Sequence, residues 1–156
     1  MLPMQVLNKA AEEMCCYGDS GMSVMEMSHR SPDYEVIIQD AEALLRKLMN
    51  IPDNYKIYFV GGGASTQFFH IPANFLGRKA GYINTGVWTK KAIKEAKLFG
   101  EVDVVASSAD TTYTYIPKNF TVPDDVDYFH FTTNNTIHGT EVRFDPEVNV
   151  PLIADM

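Results

Sequence analysis

Cysteine is nearly missing: the 156 residues hold two, Cys15 and Cys16, adjacent and poorly placed to bridge each other. A disulfide framework is therefore not expected, and a reduced, cytoplasmic setting is. Four scattered histidines show no paired ligand spacing, so a metal site has no support. There is no block of basic residues; 13 Lys and Arg against 20 Asp and Glu give a net charge of −7. Nucleic-acid binding, which draws on many cation–phosphate contacts, is not expected. No apolar run approaches the roughly 20 residues that cross a bilayer, and no basic-then-apolar signal opens the chain, so no membrane partner is expected. Repeats and low-complexity segments are absent. What is present is 46% hydrophobic and 12% aromatic residues, enough for one well-packed domain.

The apolar pattern divides the chain by period. Residues 3–16 (PMQVLNKAAEEMCC) read as a helix with Pro3 near its first turn. Ser31 caps and Pro32 starts a second helix, with Tyr34, Ile37, Ile38, Ala41, Leu44, Leu45 and Leu48 along one face. Alternation then takes over. KIYFV (56–60) reads as a buried strand, and 64–76 as a helix broken near Pro72. GYINT (81–85) is a second strand, followed by a helix over 88–99 burying Trp88, Ala92, Ala96 and Phe99 and stopped by Gly100. EVDVVAS (101–107), DYFHFTT (127–133) and PLIAD (151–155) complete five strands. Strands alternating with helices predict an α/β fold, a mostly parallel sheet with helices on both faces.

In such sheets ligands sit beyond the carboxyl ends of the strands. Those ends carry GGGAST, NTGVW, SSAD, TNNT and ADM. The glycines of GGGAST allow close approach of the backbone, and the helix start behind them offers unpaired N–H groups with about half a positive charge, which suits a phosphate. The loop lacks the GK[ST] of nucleotide hydrolases and the GxGxxG dinucleotide spacing, and a strand-to-helix turn that binds nothing is the plain alternative. Trp88, the single tryptophan, can stack on a flat ring or cover the sheet as a core residue. Asp155 ends an apolar strand, where a carboxylate needs a cationic ring nitrogen, an arginine or a cap. Thr136 and His138 in TNNTIHG are turn formers first and ligand contacts second. Arg30, beside His29 in SHRSP, can fork onto an anion or remain solvated. Taken together these describe a phosphate, a flat ring and a basic ring nitrogen, which pyridoxal 5′-phosphate combines.

SHRS, GGGASTQF with IPANFL, TGVWTKKAIKEAKLFG, NNTIHGTE and PLIADM, in this order, resemble the phosphoserine aminotransferase family of class-V, fold-type I pyridoxal-phosphate enzymes over essentially the whole chain. The resemblance implies that the amides of Ala64 and Ser65 hold the cofactor phosphate, Trp88 stacks on its ring, Thr136 contacts it and Asp155 pairs with the pyridine nitrogen. His29 and Arg30 resemble the family's substrate-binding pair, which in the homodimer serves the neighbouring subunit. It implies glutamate and 3-phosphohydroxypyruvate as substrates, O-phosphoserine as product, and a place in serine and pyridoxine biosynthesis. Ala64 and Thr66 stand where the family's loop usually has glycines, and Asn135 where it often has glutamate, with a small effect expected. Judged against the family, both ends look cut: residues 1–156 correspond to part of the large, cofactor-binding domain. The Schiff-base lysine segment and the C-terminal domain are missing, so no catalytic residue is assigned and the chain alone is expected to be inactive. The alternatives are another transaminase of the same fold and a non-catalytic phosphate-binding α/β protein.

Overall fold

A computed structural model describes residues 2–156. Where composition suggests one packed domain, the chain divides into two compact units, Met1–Phe59 and Val60–Met156.

The first unit is helical. Helix α1 (Met4–Glu12) is shorter than the expected 3–16, ending before the exposed, free Cys15 and Cys16. Ser23 and Glu26 form a reciprocal capping box around a single 3-10 turn, Val24–Glu26. Helix α2 (Pro32–Met49) begins as expected: the Ser31 hydroxyl accepts from the Tyr34 amide, and Pro32 fills the first turn. Asn50 ends it in the left-handed region at φ 52°, and Arg46 ties the end to the Pro52 and Tyr55 carbonyls. None of the residues of α1 or α2 is buried; Leu44 and Leu48 are 55% and 79% exposed.

The second unit holds the sheet. After α3 (Gly63–Phe75) come β1 (Lys79–Asn84), α4 (Val87–Ala96), β2 (Glu101–Ser107), β3 (Phe129–Thr132), a two-residue hairpin β4 (Asn134–Asn135) with β5 (Thr140–Glu141), and β6 (Leu152–Asp155). The main sheet runs β2-β1-β3-β6, and every pairing in it is parallel. On one face Phe68 of α3 and Ala92, Ile93 and Ala96 of α4 pack on Ala80, Tyr82 and Tyr128. On the other, Ile83, Phe129 and Phe131 are covered by residues of extended segments, Ile116, Phe120, Val122 and Val148 among them. The α/β class and parallel sheet stand as expected; within this unit the helices cover one face.

Three expectations are corrected. Residues 56–60 form no strand: Tyr58, Phe59 and Val60 are 79%, 52% and 62% exposed. An apolar run becomes a strand only with a hydrogen-bonded neighbour, and among the described residues this one has none. Helix α3 is not broken at Pro72 but runs on to Phe75, although the ring removes one N–H from the helix ladder. Finally, α4 stops at Ala96, so Phe99 lies in the turn after it, 37% exposed and edge-to-face with Phe69 at 5.2 Å between centroids.

Candidate functional site

The carboxyl ends of β1, β3 and β6 meet the N-terminus of α3 and the start of α4. Helix α3 enters through Gly62 at φ 90°, a conformation that L side chains rarely adopt, and a Cβ there would lie 2.2 Å from Thr66 Oγ1. Thr66 uses that hydroxyl to donate to the Gly62 carbonyl at 2.7 Å. No side chain caps the helix, which leaves the first-turn amides at Gly63, Ala64 and Ser65 open toward solvent. This is the local electrostatics an anion requires.

Trp88 is held at two points. Its backbone N–H donates to Asn135 Oδ1 at 3.2 Å, and its indole Nε1 donates to Thr136 Oγ1 at 2.9 Å. Asn135 is 1% exposed and also donates through Nδ2 to Thr85 Oγ1 at 2.9 Å. Thr140 returns from the hairpin to donate to the Thr85 carbonyl at 3.3 Å. Space for this hub comes from Gly86, where a Cβ would come within 2.4 Å of Asn135 Oδ1.

Asp155 pairs in register with Thr132, and its carbonyl accepts from the Thr133 amide at 2.8 Å. Its carboxyl is half-buried and makes no ion pair among the described residues. Burial raises its pKa above the usual carboxylate value, and the Thr132 hydroxyl opposes that only in part. Beneath it on β3, His130 is 1% exposed and stacked on Tyr82 at 4.8 Å, with neither ring nitrogen hydrogen-bonded. Burial pushes its pKa down to about 4, so the imidazole is neutral at pH 7.

Ala64, Trp88, Thr136 and Asp155 line one cleft of about 240 Å³, together with Phe68, Asn134 and Met156. Ser65 lines an adjoining cleft of about 270 Å³ that shares Phe68 and adds Lys91, Lys94 and Glu95. His29 and Arg30 belong to the other unit, where they form an exposed turn ahead of α2; the Arg30 amide donates to Ser28 Oγ at 3.2 Å. His138 lies edge-to-face on Tyr113 at 4.7 Å and does not line the cleft. Sequence reading noted Asn135 only as a departure from glutamate with a small expected effect and assigned it no contact; in the structure it is the buried hub behind Trp88. A polar residue shortly after a strand end carries no signal that distinguishes a hub from a turn. Phe68 was also missed, because an apolar residue on a helix reads as core.

The cleft suits a small ligand with an anionic end near α3, a flat body against Trp88 and a hydrogen-bond donor or cation near Asp155. No lysine is among its lining residues, and no group of three metal-ligating side chains occurs among the described residues. Fold and cleft together define a parallel α/β protein with a cleft at the carboxyl edge of its sheet, the edge where such folds place ligands. The sequence profile described as Aminotransferase class-V matches residues 1–149, so this chain belongs to that family.

It is 57% identical to the phosphoserine aminotransferase of Phocaeicola vulgatus over 156 residues, covering 100% of this chain and 44% of that protein. Among solved structures, the phosphoserine aminotransferase of Bacillus circulans subsp. alkalophilus superposes with a TM-score of 0.94 at 46% identity, over 100% of this chain and 45% of that one. The pyridoxal-phosphate-bound enzyme of Trichomonas vaginalis superposes with a TM-score of 0.91 at 38% identity, again over 100% and 45%. The chain thus spans less than half the length of the relatives it matches. No helix among the described residues is long and apolar enough to cross a membrane.

Proposed function

We propose that the whole protein is a pyridoxal-phosphate-dependent phosphoserine aminotransferase, converting 3-phosphohydroxypyruvate and glutamate to O-phosphoserine and 2-oxoglutarate. In this reading it acts in serine and pyridoxine biosynthesis, as a cytoplasmic homodimer, and residues 1–156 supply much of the cofactor cradle. The relatives' shared name supports the reaction, and the pyridoxal phosphate in the Trichomonas vaginalis structure supports the cofactor. The observation that carries the reading is one cleft joining an uncapped helix start, an indole and a half-buried carboxyl without an ion pair.

The residues fit the group. Amides at Ala64 and Ser65 would hold its phosphate, and Trp88, oriented by Asn135 and Thr136, would face its ring. When bound, pyridoxal phosphate supplies an electron-withdrawing pyridinium that takes up negative charge developing at the substrate's α-carbon. Asp155 would keep the ring nitrogen protonated, and the charge-assisted bond between them would relieve the carboxylate's own desolvation. A hydrogen bond to a charged group contributes roughly 1.5–3 kcal/mol. Phe68 walls the cleft on its apolar side, limiting water around that pair. In the homodimer His29 and Arg30 would serve the neighbouring subunit's site, binding the substrate's anionic end there.

The test is a titration of the 156-residue chain with pyridoxal 5′-phosphate, followed through quenching of Trp88, beside pyridoxal and inorganic phosphate. Saturable quenching that needs both ring and phosphate, and weakens in D155N, is expected. No quenching, or quenching indifferent to Asp155, overturns the cofactor assignment. For the whole protein, turnover of O-phosphoserine with 2-oxoglutarate is expected; use of another amino acid in preference would favour a different transaminase of this family.

A further inference from the structure

The loop before α3 lacks the lysine that many phosphate loops use, yet a lysine lies close by on another element. Lys91 follows Trp88 by three residues on α4, a spacing that puts both on one helix face. Its Nζ lies 4.4 Å from the centroid of the Trp88 ring. An ammonium over an indole face is attracted by the ring's electron-rich π cloud. It also occupies that face, so a flat ligand can stack only on the other. The indole edge is meanwhile fixed by Thr136 and its backbone by Asn135, so the three contacts together set one orientation.

Lys91 has a second neighbour of interest. With Lys94 it lines the cleft that contains Ser65 in the first turn of α3, and that cleft shares Phe68 with the one containing Asp155. Of the acidic residues only Glu95 lines that cleft. One cation therefore touches the residue read as the ring platform and borders the residue read as the phosphate cradle. We propose that Lys91 is a positioning residue for the phosphorylated ring. It seals the rear face of Trp88, making the stacking one-sided, and adds positive potential beside the α3 amides that no residue of the loop provides. This rests on the cofactor site argued above.

The experiment uses the 156-residue chain as wild type, K91Q and K91R. The Trp88 emission reports the contact directly, because the chain has no other tryptophan. K91Q should change its intensity or wavelength, and K91R should restore it, with urea midpoints unchanged. Calorimetric titration with pyridoxal 5′-phosphate should then show K91Q weaker by roughly three- to fivefold, the scale of one exposed cation–π contact. K91R should bind near wild type. Pyridoxal, lacking the phosphate, should lose less than pyridoxal phosphate does. Equal affinity of K91Q and wild type for pyridoxal phosphate overturns the proposal, whether or not the emission moves. A K91R that binds as weakly as K91Q overturns it too. A wild type that binds no pyridoxal phosphate overturns the underlying site reading instead, and the proposal with it.

Discussion

Two aspartates mark opposite ends of the same sheet and are treated in opposite ways. Asp127, at the amino end, accepts from the backbone amides of Gly77, Arg78 and Lys79 at 2.9, 2.6 and 3.0 Å. Those amide bonds hold its pKa below the usual carboxylate range. Asp155, at the carboxyl end, is half-buried without comparable donors, and burial moves its pKa the other way. A carboxylate whose lone pairs are spent on the chain's own amides holds the fold together. One left short of donors is available to something else. The sheet thus shows which of its ends is structural before any ligand is considered.

The sharpest way to break this comparison is at the hub behind the site. N135A leaves the Trp88 amide without its partner and the Thr85 hydroxyl with only Thr89 Oγ1, at 3.4 Å, and a buried polar group left unsatisfied costs roughly 1–3 kcal/mol. Chemical denaturation should show the largest loss of the variants named here, together with altered Trp88 emission. At the structural end, D127A removes the acceptor for three amides, and its urea midpoint should fall by less than that of N135A. The D127A deficit should shrink in acid, because a depressed carboxyl contributes stability that is present above its unfolded value near 3.8 and lost as pH falls through the folded one.

His130 sets a separate window. Its pKa falls from 6.5 to about 4 on folding, so the unfolded chain takes up the proton first. Stability should be full above pH 6.5 and decline steadily down to about 4; H130F, measured by urea midpoints across that range, should flatten the slope. The smallest effect is expected for D155N. A raised carboxyl pKa means the folded state binds the proton more tightly, so stability declines as pH rises through that range. At neutral pH D155N should therefore match or slightly exceed wild type in midpoint while losing affinity for pyridoxal phosphate. A clear loss of stability in D155N would show that Asp155 is structural after all and erase the contrast with Asp127.

Much of this was legible in the sequence because it is local. Ser31 and Pro32 start α2 through their own side chains, and the alternating apolar runs give four of the five expected strands. That Trp88, Thr136 and Asp155 share a cleft was legible because each lies at or just after the carboxyl end of a strand, whereas Ala64 joins them from the start of α3 with no strand before it. What was not legible depends on partners far along the chain. KIYFV has the composition of a strand but finds no neighbour, and Asn135 is a hub only because Thr85, some fifty residues earlier, ends beside it. The hairpin of β4 and β5 is too short to leave a period. The Lys91–Trp88 contact was within reach, since a spacing of three on a helix is readable, but the lysines of α4 look like an ordinary solvated face.

β6 carries a different consequence. Among the described residues, in the order β2-β1-β3-β6, it is paired on one side only, by β3. The carboxylate proposed to meet the cofactor therefore stands on a rim, and the outward backbone groups of Leu152–Asp155 can recruit a further strand. A correct strand would stiffen the residue that greets the ring. A wrong one, from a second molecule, would start a ribbon, so the amides of this strand should exchange with heavy water sooner than those of β3, and sooner still on dilution.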